Sequence, residues 1–233
     1  MKSFKNPFKL LTKFEYILWG VAVIIVSMSF LLAPDKDYLT LTASLIGVSA
    51  LIFVAKGHVI GQALCVVFAV FYGIISFHFK YYGEMITYAC MSAPMAIMSI
   101  VSWVRHPYKE SSQVKVNKMT PPQCVLMWAV SATVTVAFYF ILQTLGTANL
   151  IFSTVSVLTS FLACYLTFMR SPYYAVAYGA NDVVLIILWV LAAIKDISYL
   201  PMILCFSMFL AMDTYGFICW KKMELAQKIK ESL

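Results

Sequence analysis

Four residues in one apolar run have the types and spacing of a binding site: Tyr174, Tyr178, Asp182 and Trp189. In a helix that spacing stacks them on a single stripe. Aromatic faces beside a carboxylate offer stacking and hydrogen bonding together, the chemistry that seats a flat, polar small molecule. The run that carries them, Tyr173 to Ile194, otherwise reads as a membrane-spanning helix with Asn181 and Asp182 near its middle. An Asp there costs roughly 2.5–3.5 kcal/mol on insertion scales, so such groups persist where they face a bundle interior or a wet cavity. Asp213 carries a similar cost in the following run, where a site role and a helix-stabilising contact stand as equal readings.

Plainer roles stand beside these. Asp182 is a candidate ligand-binding residue, or a hydrogen-bond partner for Ser or Thr in the 150–169 run. Asn181 points about 100° away from it around the helix, which suits interhelical bonding. Tyr174 and Tyr178 fall near the start of their run, so membrane-interface anchoring competes with stacking, more strongly for Tyr174. Trp103 and Trp220 end their runs beside cations and read as interface anchors. Gln62 and Glu84 lie near run ends, within reach of headgroups or water. Pro94, in mid-run, removes a helical hydrogen bond and predicts a kink.

Bulk composition requires that these residues be positioned by membrane helices. The chain is 62% hydrophobic and 12% charged, against about 25% charged in soluble domains, and its mean hydropathy is +0.86. Spans are predicted at 14–32, 38–55, 59–78, 82–104, 123–142, 150–169, 173–194 and 198–220, each near the roughly 20 residues a bilayer needs. The fold class is therefore an all-α integral membrane protein of about eight helices. The basic start followed by an apolar run lacks a small-residue cleavage pattern, so the first run is expected to be a retained helix.

Alternating the loops with the N-terminus inside leaves only Lys36, Lys80 and Lys195, of 17 basic residues, on the outer side. The positive-inside rule thus places both termini in the cytoplasm. The net charge of +7 orients helices rather than recruiting nucleic acid. Six cysteines form no CxxC or His-paired group and read as small core residues. The three histidines sit at run ends, so no metal cluster or nucleophile–base pair is expected at membrane depth, and neither an enzyme nor a bound cofactor is predicted. No P-loop pattern is present, so any ATP use belongs to a separate protein.

A shift of about 117 positions aligns Tyr72 with Trp189, Tyr82 with Tyr199, Met95 with Met212 and Trp103 with Trp220, a possible internal repeat. This divides the chain into 1–37 (basic start and extra helix), 38–105 (first three-helix repeat), 106–149 (cytoplasmic linker and inverting helix), 150–221 (second repeat) and 222–233 (tail). A 3+1+3 order gives parallel repeats, as in SWEET-type transporters with midplane sites. Tyr72, opposite Trp189 in the alignment, is then a candidate for the other wall.

The motifs Tyr72-Gly73-x-x-Ser76, Tyr82-Gly83-Glu84 and Trp103, followed by Ala180-Asn181-Asp182-Val183-Val184 and Asp213-Thr214-Tyr215-Gly216 to Trp220, resemble the PnuC-type vitamin transporters over roughly residues 40–220. The resemblance implies import of a vitamin precursor, nicotinamide riboside in the best-known members, across a cell (inner) membrane. It implies facilitated diffusion with phosphorylation by a separate cytoplasmic kinase trapping the substrate, and a homotrimeric assembly. One departure stands out: those members carry Trp-x-x-x-Trp where this chain has Tyr174 and Tyr178. Relatives altered at that pair handle thiamine or deoxynucleosides, so these substrates are alternatives. Proton-coupled uptake through Asp182 and Asp213 is another.

Overall fold

The protein is described by a computed structural model covering residues 7–33, 37–78, 82–109, 111–147 and 149–232. Lys2, Lys5, Lys36, Lys80 and the Pro34-Asp35 boundary lie outside the described residues. Within them, eight helices or helix groups are long and apolar enough to cross a membrane, which makes this a multi-pass membrane protein.

α1 (Lys13–Leu32) begins at a capping box, with Thr12 and Glu15 bonding each other's backbone N–H groups. That pairing satisfies helix donors that would otherwise be orphaned. α2 (Tyr38–Ala55) starts from Asp37, whose Oδ1 accepts from the backbone of Leu39 and Thr40. α3 (Val59–His78) follows after a turn at Gly57, whose φ of +64° suits a residue without Cβ.

The next crossing has three parts: α4 (Tyr82–Thr87), a π-helical turn (Tyr88–Ser92) and α5 (Ala93–Arg105). Pro94 lies in the first turn of α5, where its missing N–H costs least. The irregularity predicted at this proline therefore takes the form of a wider turn just before it. α6 (Pro121–Thr144), α7 (Leu150–Phe168), α8 (Tyr174–Ala193) and α9 (Leu200–Ser232) complete the bundle.

α2, α3, α8 and α9 form its centre, with α1 packed on α2 and α9. α8 and α9 approach closely at Gly216, where an added Cβ would stand 2.9 Å from Tyr174 Oη. Lipid-facing surfaces are apolar, as on α1 with Ile17, Ile24 and Leu32 exposed. A bilayer requires this, because backbone polar groups are already satisfied inside the helices.

One finding corrects the sequence reading. Trp103 and Trp220 are not interface anchors, since both are buried to 1% exposure or less. The Trp103 indole donates to the Thr167 carbonyl (2.9 Å) at the end of α7, and the Trp220 indole donates to the Val54 carbonyl (2.8 Å) at the end of α2. Their rings meet at 5.4 Å between centroids. Each tryptophan thus adds a second donor to a C-terminal carbonyl already bonded in its own turn, and does so across the molecule.

The linker is tied to the helix bundle along its length. Val114 N–H donates to Gly57 O, and Asn117 N–H donates to Arg170 O, both at 3.0 Å. The Gln227 side chain on α9 bonds Val116 N–H (2.9 Å) and Val114 O (3.0 Å), and Lys115 pairs with Glu231 (2.8 Å). The linker is a strap laid across three helix ends.

Candidate functional site

A cavity of about 190 Å³ lies among α3, α4, α7, α8 and α9. It falls below the roughly 300–1,000 Å³ of sites for drug-sized ligands, so it suits a compact occupant. Six of the seven predicted residues line it: Asp182, Asn181, Tyr178, Trp189, Asp213 and Tyr72. Tyr174 does not. Buried to 1% exposure, it packs edge-on against Trp220 at 5.0 Å and supports Tyr178 from behind at 6.2 Å. The interface reading fails for it as well, because its side of α8 faces α9 rather than lipid.

The α8 wall is built around Asn181. Its Oδ1 lies 3.1, 2.9 and 3.0 Å from the hydroxyls of Ser156, Thr159 and Ser160 on α7. Three donors on one oxygen fix the amide orientation. Nδ2 has no protein partner among the described residues, leaving two N–H donors for the cavity. The Ser/Thr partner expected for Asp182 therefore belongs to its neighbour. Asp182 instead lies beside the Asp213 carboxyl of α9, with both groups facing the cavity. Its Oδ2 finds no donor among the described residues. Tyr178 Oη touches Cys164 Sγ at 3.4 Å.

Across the cavity stands an aromatic wall. Tyr72 and Tyr88 lie 4.7 Å apart, and Phe68 lies 5.3 Å from Tyr72 and 6.2 Å from Phe209. Sequence reasoning missed Tyr88, Gln62 and Glu84, all of which line the cavity. Gln62 is only 3% exposed, so it reaches neither headgroups nor bulk water. A signal existed: Gln62, Cys65, Ala69 and Tyr72 recur at helical spacing, and following that stripe back from Tyr72 leads to Gln62. Glu84 gave no such periodic signal, because it stands near the start of its run, where polarity costs little.

Three carboxyl groups (Glu84, Asp182 and Asp213) line the cavity, and no Lys, Arg or His does so among the described residues. No cluster of metal-ligating side chains occurs among those residues either. In a low-dielectric enclosure, uncompensated carboxyls favour a cation, and the flanking rings add faces on which a flat cation stacks.

A compact, acidic, aromatic-walled cavity at the centre of a helical membrane bundle is the architecture of a small-molecule carrier. The family described as "Nicotinamide mononucleotide transporter" matches residues 37–222. The chain belongs to this family. Its match begins just before α2, so α1 precedes the family core of this nicotinamide mononucleotide transporter family member. Among its relatives is the nicotinamide riboside transporter PnuC of Neisseria mucosa, 27% identical over 217 residues, which cover 91% of this chain and 82% of that protein. The crystal structure of the vitamin B3 transporter PnuC superimposes with a TM-score of 0.79 at 26% identity, covering 93% of this chain and 94% of that one. These similar proteins are membrane transporters, and the fold they share with this chain is all-helical.

Proposed function

We propose that this protein imports nicotinamide riboside through the central cavity by facilitated diffusion. The observation that carries the reading is the carboxyl-lined, cation-free wall formed by Glu84, Asp182 and Asp213. Nicotinamide riboside is a pyridinium cation with a ribose. Its ring suits the tyrosine and tryptophan faces of Tyr72, Tyr178 and Trp189, and its hydroxyls and amide suit Asn181, Asp182 and Gln62. The phosphorylated mononucleotide would bring two negative charges to a wall without a cationic partner among the described residues, a costly burial. The nucleoside is therefore favoured over the nucleotide.

The remaining parts of the reading follow the loop charges, the internal alignment and the family resemblance. Both termini face the cytoplasm of a cell inner membrane, a separate kinase traps the product, and the protein assembles as a homotrimer. The two three-helix segments act as parallel repeats, 38–105 and 150–221. The crosswise tryptophan caps support this, since each segment's last helix caps the other segment's first.

Binding of nicotinamide riboside, its mononucleotide, thiamine and a neutral deoxynucleoside to purified protein tests the proposal. Nicotinamide riboside should bind at least about tenfold, or 1.4 kcal/mol, more tightly than the mononucleotide. Equal or tighter binding of the mononucleotide would sink the charge argument. Preference for thiamine would redirect the reading to a different flat cation, and preference for the deoxynucleoside would remove the role given to charge.

A second reading, proton-coupled uptake, is favoured by the adjacent Asp182 and Asp213 carboxyls in the cavity wall. Collapsing an imposed pH gradient in proteoliposomes distinguishes the two. Unchanged initial uptake excludes coupling, whereas a fall in uptake that disappears in Asp213→Asn supports it.

A further inference from the structure

Outside the central cavity, a groove of about 390 Å³ runs between α5 and the end of α7 on the face that carries the linker. Its floor is apolar. Ile97, Met98 and Val101 of α5 are 51%, 46% and 43% exposed along it, and Phe168 closes it from α7. Its rim is basic, formed by Arg105, His106 and Arg170. Neither arginine takes part in an ion pair among the described residues.

Arg170 is held in place. Its Nη1 lies 2.7 Å from Ser102 Oγ and 3.0 Å from His106 Nδ1, and its Nε donates to Lys115 O at 3.2 Å. That leaves Nη2 without a protein partner among the described residues. The backbone at Arg170 is also unusual, with a φ of +57°. The turn after α7 repeats the one after α2: Gly57 N–H bonds Val54 O and Arg170 N–H bonds Thr167 O, while His58 and Ser171 bond Phe53 O and Leu166 O. The α2 turn uses glycine at the left-handed position. The α7 turn holds an arginine there at a conformational cost, the kind of outlier from which a functional hypothesis starts.

Depth along the membrane completes the picture. Arg105 and Phe168 are the last residues of their spans, so the cations sit at headgroup level and the apolar floor lies below them. We propose that this groove binds an anionic glycerophospholipid, with its phosphate on Arg105 and Arg170 and an acyl chain along Ile97, Met98 and Val101. Guanidinium groups match phosphate oxygens in charge and geometry, and basic recesses between membrane helices suit such headgroups. A soluble phosphate would gain nothing from the apolar floor.

Native mass spectrometry of the full-length protein, titrated with phosphatidylglycerol or phosphatidylcholine in detergent, tests the assignment. Wild type should retain phosphatidylglycerol preferentially. Arg105→Gln with Arg170→Gln should weaken its retention about tenfold or more and leave phosphatidylcholine unchanged. Arg105 is exposed and makes no side-chain hydrogen bond or ion pair among the described residues, so Arg105→Gln alone keeps the test valid if Arg170→Gln fails to fold. Val101→Trp, which fills the floor, should reduce lipid retention with both arginines intact. Equal retention of the two lipids, unaltered retention in the variants, or inorganic phosphate competing fully for the site would overturn the proposal. So would a Met98→Cys cross-link between copies that forms in place of lipid binding.

Discussion

Asn181 and Asp182 are sequence neighbours with opposite dependencies. Asn181 is the acceptor facing three partly buried hydroxyls of α7, and its removal takes away the interhelical partner they share. Asn181→Ala should therefore lower stability by about 1–3 kcal/mol and abolish ligand binding as well, read by thermal unfolding in detergent alongside titration calorimetry. Asp182→Asn should behave differently. An amide at that position can donate to Asp213, so the melting temperature should hold while affinity for a cationic ligand falls about tenfold or more. A variant that loses stability but keeps affinity would make Asp182 a packing residue. Both residues were legible in the sequence for one reason: polar groups in the middle of an apolar run are expensive and need a purpose. Gln62 and Glu84 were hidden by the converse of that argument, since polarity near a run end looks cheap. Tyr174, Trp103 and Trp220 were misread because position along a helix suggests depth in the membrane but says nothing about which side faces a neighbour.

Between elements, contact depends on a few tight approaches and on satisfied helix ends. Gly216→Ala would push a methyl group against Tyr174 Oη, and overpacking of this kind should cost about 1–3 kcal/mol. Trp220→Phe keeps an aromatic ring but removes the indole bond to Val54 O, which still accepts from Gly57 N–H, at a cost of about 0.5–1.5 kcal/mol for the lost hydrogen bond. Combined with Trp103→Phe, the loss should be non-additive because the two rings touch, and thermal unfolding of the four variants measures this coupling. The loop between α2 and α3 gives a pH dependence. His58 is half-buried, its Nδ1 accepts from Ile60 N–H, and burial lowers its pKa below the ordinary 6.5. Its contribution to stability is complete above about pH 6.5 and is lost as pH falls below that value, because the unfolded chain takes up the proton first. Unfolding temperatures measured from about pH 7.5 to 5.5 should drop more for wild type than for His58→Asn. Helix boundaries were legible almost throughout because hydropathy and length suffice for them. The π turn was not, since the proline announces a defect without specifying its form.

At the scale of the whole molecule, the eight spans follow from apolar runs and short punctuation, and the structure repeats that count among the described residues. The strap formed by the linker did not announce itself, because irregular backbone paired to loops has no periodicity to read. Its polar, basic composition suggests a segment open to solvent, yet Val114 is 1% exposed and Gln227 is 5% exposed. Amide exchange at Val114 and Val116 should accordingly be slow, and Gln227→Ala should release it without disturbing exchange within the helices. The paired tryptophans also carry a consequence for how the carrier rests between cycles. Parting the two halves at their end would break both indole bonds and the ring contact together, while no such bolt joins the far ends among the described residues. The two mouths are then unequal in the work needed to open them. Weakening that pair with Trp103→Phe should therefore make the tryptophan end easier to open, which labelling of single cysteines placed at each end of the empty protein would measure.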